Sequence, residues 1–362
     1  MIGPNRDQPK PRSAQTAIGQ ETNGDIMLKT HHVDCIYTHT EGEPTCIVHS
    51  GIPYPAGTDI LGKRQFLVEH YDWLRRALMR EPRGHRNMFG VFVTPPSTPD
   101  HDAGMIWMDS TRFHDMCGHG TIALGMAMVA NGLVRQTGAR TTIRFETTAG
   151  TVTAEVEADA ERACSTRFEN VPCYVAERDI PVDLPGGDRA MVDLAFGGNY
   201  FFTLDWGKRT PRVAPENGAF FSDLGYRLKM MLREKVKVQH PTQPHISHTD
   251  FVTFYHDSTR AEALYRNVHV FADGKMDRSP GGTGTSAMMA MLESHGRMKV
   301  GQTIRSEGLL GSGTFEGCLV RETKVGNHRG FVPTVKGTAN VVGYAKWLMT
   351  PDDPINEGFV ID

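Results

Sequence analysis

Cys117-Gly118-His119-Gly120-Thr121-Ile122-Ala123-Leu124 and Gly281-Gly282-Thr283-Gly284-Thr285-Ser286-Ala287-Met288 align without a gap. Glycine, glycine, threonine and alanine stand at matching positions, so the chain reads as a duplicated half-domain. In each copy the glycines open into a small, apolar run, Ala123 to Val129 and Ala287 to Met291, the pattern of a tight turn leading into a buried helix. Unpaired backbone N–H groups and the positive end of a helix dipole would gather at both places. Such an end attracts a carboxylate or favours a thiolate. If the halves face each other, Cys117 looks across a small anionic ligand at Gly281, which offers no side chain.

The rest of the chain is organised around these two turns. At 362 residues it is too long for one simple core and fits two domains of ordinary size. The expected division is a first half over 31–165, completed by 345–362, and a second half over 166–344, with no low-complexity linker between them. Residues 1–30 are polar, lack the apolar core of a secretory signal and read as a disordered leader. In the first half, Val33 to His39, Thr45 to His49, Phe89 to Thr94 and Gly104 to Met108 read as strands, with a charged-faced helix over Lys63 to Met79. Thr141 to Thr147 and Gly150 to Glu157 alternate around Ala149-Gly150 as a hairpin. The second half opens with a strand over Thr166 to Val175, continues through Met191 to Leu204 around Gly197-Gly198-Asn199, and holds helices over Ser222 to Val236 and Thr285 to His295. Val252 to Tyr255 and Asn267 to Phe271 read as the strands before Gly281. The class is α+β, two similar α/β halves, each a sheet around a central helix.

Composition excludes several functions. With 39 basic and 42 acidic residues, a net charge of −3, no basic stripe suggests nucleic acid. No apolar run is long enough to span a bilayer, so no membrane partner is expected. Cys35, Cys46, Cys117, Cys164, Cys173 and Cys318 show no CxxC or CxxH spacing, which argues against a zinc site or disulfide framework and for a reduced, cytoplasmic protein.

Cys117 departs from the ordinary buried thiol because of its glycines and His119. A cysteine at a helix start serves as a nucleophile or as a proton-transfer base. A cysteine hydrolase needs a spatially opposed, oriented histidine, and His119, two residues along at a helix start, is not expected to point back at the sulfur. Gly281 to Gly284 lacks the lysine of a phosphate loop, but its N–H groups suit a carboxylate. His240, His245 and His248 have loose metal-like spacing without an acidic or thiol companion, so no metal is expected. Asp277 is either a solvated acid or a fixed partner for a substrate ammonium.

Five motifs together resemble the proline racemase superfamily, which includes proline racemase, 4-hydroxyproline epimerase and trans-3-hydroxy-L-proline dehydratase. They are His39-Thr40-Glu41-Gly42-Glu43-Pro44, Glu81-Pro82-Arg83-Gly84-His85, Asp115-Met116-Cys117-Gly118-His119-Gly120, Phe196-Gly197-Gly198-Asn199, and Asp277-Arg278-Ser279-Pro280 followed by Gly282-Thr283-Gly284-Thr285. The resemblance runs from about Val33 to Asp362. It implies a diaminopimelate-epimerase-like fold whose halves meet at a cofactor-free cleft, a small proline-type substrate, and a homodimer as a family-level expectation. It also implies roles. Cys117 is the catalytic thiol, Gly118 and His119 offer N–H groups to the substrate carboxylate, and Gly282 with Thr283 forms a second cradle. Asp277 holds the ring nitrogen, and Phe89 and Phe271 wall the pyrrolidine ring.

The departure is Gly281, the second-base position, where the resemblance implies a second cysteine in racemases and epimerases and commonly threonine in dehydratases. Two-base inversion needs a group on each face of the substrate carbon, and glycine supplies none. In trans-3-hydroxy-L-proline the hydroxyl and the α-hydrogen share one ring face, so a single thiol suffices to take the proton and release water. The expected activity is therefore that of a hydro-lyase making Δ1-pyrroline-2-carboxylate. A proline racemase or 4-hydroxyproline epimerase is the alternative, and a non-catalytic imino-acid-binding protein the second.

Overall fold

The computed structural model describes residues 30–361; the expected leader lies outside them apart from Thr30. The chain traces one architectural sentence twice. The first pass comprises β1 (His31–Thr40), β2 (Glu43–Ser50), α1 (Ile60–Met79), β3 (Phe89–Thr94), β4 (Ala103–Asp109), β5 (Phe113–His114), α2 (Gly118–Ala130), β6 (Arg140–Thr147), β7 (Gly150–Ala158) and β8 (Ala163–Glu169). After β9 (Cys173–Asp183), the second pass comprises β10 (Arg189–Phe196), β11 (Tyr200–Asp205), α3 (Gly218–Lys235), β12 (Thr249–Asp257), β13 (Tyr265–Phe271), β14 (Lys275–Asp277), α4 (Gly282–Ser294), β15 (Thr303–Glu307), β16 (Thr314–Val325) and β17 (His328–Gly337). A final strand, β18 (Asn340–Met349), follows.

The pairings repeat as well. α1 and α3 cross between parallel partners β2/β3 and β11/β12, while α2 and α4 cross between β4/β6 and β13/β15. Every other connection within a half is antiparallel. In the second half β17 pairs back onto β9, so the sheet closes around α4. In the first, β18 returns to pair along β1 from His31 to His39. Phe359 then bridges Glu81. The return to the first half thus starts at residue 340, five positions before the expected 345. β8 runs through the expected boundary at 165 and pairs with β17, joining the two halves into one continuous sheet.

Burial explains which helices take which place. α2 is buried from Gly118 to Met128 and α4 from Gly282 to Leu292, apolar on all sides as a helix enclosed by a sheet must be. Met288, Met289, Met291 and Leu292 are sealed from solvent, each contributing about 1.5–3 kcal/mol relative to exposure. α1 and α3 bury one stripe each and keep their charged faces outside. α1 starts at Ile60 rather than Lys63 because the Asp59 carboxylate accepts the Gly62 N–H at 2.7 Å, a cap contributing about 1 kcal/mol. The expected strand over Thr166 to Val175 is two strands, broken at Asn170-Val171-Pro172. Among the described residues no helix is long and apolar enough to cross a membrane.

Candidate active site

The duplicated turns meet head to head. A Cβ at Gly118 would fall 2.4 Å from the Gly282 Cα, and one at Gly282 would fall 2.6 Å from the Gly118 Cα, so the two helix N-termini touch only because both residues are glycine. Cys117 is the N-cap of α2 and Gly281 that of α4; neither helix has a side-chain cap or an acid in its first turn. Two sets of unpaired N–H groups and two positive dipole ends therefore converge on one seam between the halves, a place built for an anion.

The hairpin turns of each half hold this seam. Thr40, the last residue of β1, donates its hydroxyl to the His119 carbonyl at 2.9 Å. The β10–β11 turn, Gly197-Gly198-Asn199, lies against the start of α4: a Cβ at Gly197 would meet the Thr283 carbonyl at 2.4 Å. Asn199 reaches across to donate to the Met116 carbonyl at 2.7 Å, fixing the residue before Cys117.

The side chains at the seam form a charged row. Contrary to the sequence expectation, His119 points back at the sulfur: both ring nitrogens lie 3.5 Å from Cys117 Sγ. Cap and second helical residue project from the same end of α2, and the extended backbone of Cys117 leaves its sulfur over the imidazole. Nδ1 of His119 lies 3.7 Å from Asp277 Oδ2, an ion pair across the halves. Burial disfavours charge on His119, but the thiolate form of Cys117 and the Asp277 carboxylate outweigh it and hold the imidazole well above its ordinary value. Burial likewise opposes the charge of Asp277, yet His119, His269 and the Ser279 hydroxyl keep its carboxyl below the ordinary carboxylate value. Its Oδ1 accepts from the Ser279 N–H and hydroxyl at 2.8 and 2.7 Å.

Phe89 and Phe271 come together, ring centroids 5.3 Å apart, and Phe89 also meets the His119 ring edge-on at 5.0 Å. Cys117, Gly118, His119, Asp277, Gly281, Gly282, Thr283, Phe89 and Phe271 thus all gather at this seam, each under one-tenth exposed. An open cleft of about 860 Å³ lies elsewhere, along α1 between Arg64, Trp73, Arg76, Arg112 and His248. His240, His245 and His248 do not converge: the first packs on Phe196, the second meets the Thr148 carbonyl at 2.8 Å, and the third faces Arg112 and Asp115.

Three further residues at the seam, Glu43, Arg278 and His269, are assigned no role from sequence alone. Glu43 is fully buried, and its Oε2 accepts from the Arg278 backbone N–H and guanidinium, both at 2.9 Å, while Oε1 has no partner. Burial and the nearby Asp277 charge push the Glu43 carboxyl up to about 7 despite Arg278. Glu43 and Arg278 stood inside quoted motifs, where a carboxylate and a guanidinium on opposite halves already suggest a tie. His269 had none, being one letter in an alternating strand. Chemically the seam offers a cysteine sulfur beside an imidazole held above its ordinary value, two helix ends for an acid group, a carboxylate for a cation and an aromatic wall for a ring. That set suits removal of a proton next to a carboxylate.

Comparison with known proteins agrees. A chain from Cereibacter sphaeroides named 4-hydroxyproline 2-epimerase is 59% identical over 90% of this chain and 97% of its own length. One from Azospirillum brasilense named trans-3-hydroxy-L-proline dehydratase is 36% identical over 92% and 100%. The crystal structure of a hydroxyproline epimerase from Agrobacterium vitis, with bound trans-4-hydroxy-L-proline, superposes with a TM-score of 0.86 at 27% identity, covering 91% of this chain and 95% of that one. The family model described as proline racemase matches residues 35–360, and with the duplicated fold and its glycine-lined seam the chain belongs to the proline racemase family.

Proposed function

We propose that the protein is an epimerase acting at the α-carbon of a 4-hydroxyproline. The observation that carries this reading is the 59% identity, over nearly the full length of both chains, to a protein named 4-hydroxyproline 2-epimerase; the protein named for the dehydration shares 36%. The hydro-lyase expected from sequence therefore becomes the second reading. What favours it is Gly281, which leaves the second face without a side chain of its own helix.

In the proposed reaction the substrate carboxylate lies between the starts of α2 and α4, on N–H groups of Gly118, His119, Gly282 and Thr283. Asp277 pairs with the ring ammonium, and Phe89 and Phe271 cover the apolar ring face. Cys117, as thiolate, removes the α-proton; such a positioned base contributes about 10²–10⁴-fold. The electron pair left on carbon spreads into the carboxylate, where both helix ends face it. His119 holds the thiolate by charge while it waits.

The test is incubation with trans-4-hydroxy-L-proline, L-proline and trans-3-hydroxy-L-proline in D₂O, with α-deuteration, inversion and imine formation followed by NMR. Inversion of the 4-hydroxy substrate supports the epimerase. Imine from the 3-hydroxy substrate alone supports the hydro-lyase. Tight binding without exchange identifies a non-catalytic binding protein and sinks both.

A further inference from the structure

We propose that His269 is the second proton-transfer group of this site, an imidazole from β13 standing where Gly281 leaves no side chain and serving the substrate face opposite Cys117. The inference rests on the epimerase reading. It begins from a slot. A Cβ at Gly281 would fall 2.3 Å from both Cδ2 and Nε2 of His269, and one at Gly284 would fall 2.2 Å from Cε1. The ring therefore lies against the first turn of α4 in space that exists only because both residues are glycine. Its Nε2 stands within one side-chain atom's reach of the point from which a residue at 281 would act.

The duplication shows what changed. The counterpart of His269 is Trp107: each pairs with the short strand before the catalytic turn, Trp107 with His114 and His269 with Asp277. Each ring also lies over the matching glycine, since a Cβ at Gly120 would meet Trp107 Cζ3 at 2.4 Å. In the first half the strand supplies an inert indole and the helix cap supplies the thiol. In the second the cap is bare and the strand supplies a titratable ring.

The ring is also held in a way that suits both charge states. Nε2 lies 2.9 Å from the Pro280 carbonyl and Nδ1 2.7 Å from the Thr253 hydroxyl. At rest it donates from Nε2 to Pro280 and accepts from Thr253 at Nδ1; for proton transfer it takes the other tautomer, donating from Nδ1 to the Thr253 hydroxyl, which also accepts, and so frees Nε2 from Pro280 to exchange a proton with the substrate carbon. Asp277 lies between the two imidazoles, its Oδ2 3.7 Å from His119 Nδ1 and 3.4 Å from the Gly281 Cβ point. Burial holds His269 below the ordinary imidazole value against the pull of Asp277, so a proton placed on it is readily given up.

The steps balance. In one direction the Cys117 thiolate takes the α-proton, breaking C–H and forming S–H while the electron pair enters the carboxylate. Protonated His269 then gives its N–H proton to the carbon from the other side and becomes neutral. In the reverse direction neutral His269 removes the proton and the Cys117 thiol returns one. Between turnovers one proton moves between sulfur and ring through solvent.

The test is His269→Gln, whose carboxamide retains a donor for Pro280 but does not titrate. Inversion of 4-hydroxyproline is expected to fall at least about 100-fold. α-Deuteration with retention should persist for the one epimer whose α-hydrogen faces Cys117, and should vanish when Cys117→Ser is added. Near-normal inversion by H269Q overturns the inference, as does equal loss of exchange from both epimers, the mark of a merely structural residue. The wild type offers a second readout independent of the variant's folding. In mixed H₂O and D₂O, product from the two directions should differ in deuterium content, because thiol and imidazole partition the isotope differently; equal content overturns the inference. Wild-type protein that inverts no 4-hydroxyproline sinks the epimerase reading itself, a result distinct from any of the variant outcomes.

Discussion

Cys117 is under one-twentieth exposed, and a thiolate so deep in the protein needs a compensating charge; His119 at 3.5 Å and the open end of α2 supply it. Cys117→Ser keeps the size of the side chain but replaces the thiolate with a hydroxyl that stays protonated at neutral pH. Inversion and α-deuteration should drop at least about 1,000-fold, within the range set by a positioned base, with an unchanged far-UV spectrum. Residual exchange above that level would move the chemistry to another group. Gly281→Cys is instructive in the opposite sense. Read from sequence, it restores the missing thiol. In the folded protein its Cβ would sit 2.3 Å from the His269 ring on a backbone with φ of +71°, so the variant should be about 1–3 kcal/mol less stable by urea unfolding. A variant as stable as wild type would mean the ring moves aside at little cost.

Among the elements, the β1–β2 hairpin does most to tie chemistry to scaffold, because it carries Thr40 onto α2 and Glu43 onto Arg278 of the other half. The Glu43 carboxyl titrates near 7 when folded, against 4.5 for its ordinary value. A carboxyl raised on folding binds more protons in the native state, so its contribution to stability is most favourable below 4.5 and falls as pH rises towards 7. Between pH 5 and pH 8 the difference in unfolding free energy between wild type and Glu43→Gln should therefore shift by roughly 2–3 kcal/mol in favour of the variant, read from urea midpoints at the two pH values. A pH-independent difference would show that Arg278 keeps Glu43 ionised throughout. The elements themselves were legible to different degrees, for physical reasons. β3 was read to the residue because Phe89–Thr94 is a compact apolar run. α2 and α4 start earlier than their apolar runs, at Gly118 and Gly282, because contact between the helix ends overrides the poor helix propensity of glycine. The duplication and most seam residues could be read from repeated motifs. His269 could not, since only the folded register of β13 against β14 brings it to Gly281.

On the scale of the molecule, the seam is closed: Asp277 is 8% exposed, Thr283 7% and Phe271 1%. A substrate that reaches Cys117 requires the halves to part. They are joined continuously by β8 and β17, where Thr166 to Glu169 pairs with Thr334 to Gly337, so that junction is the natural pivot. Polar ties across the seam include Arg278 to Glu43, Asn199 to the Met116 carbonyl, Arg112 to Asp250 and Arg86 to Asp273 at 3.3 Å, beside the His119–Asp277 pair and the Phe89–Phe271 contact. Removing Arg278 leaves the buried Glu43 carboxylate without its partner, a cost that opening of the seam to water relieves. Arg278→Ala should therefore shift the population towards the open form. Iodoacetamide labelling of Cys117, followed by peptide mass spectrometry to separate it from the five other free cysteines, should accelerate several-fold in the variant. Saturating substrate should slow it again, and KM should rise more than kcat falls, because part of the binding energy now closes the halves. Labelling at the wild-type rate would show that Arg278 does not hold the seam shut, and that entry to Cys117 is controlled elsewhere.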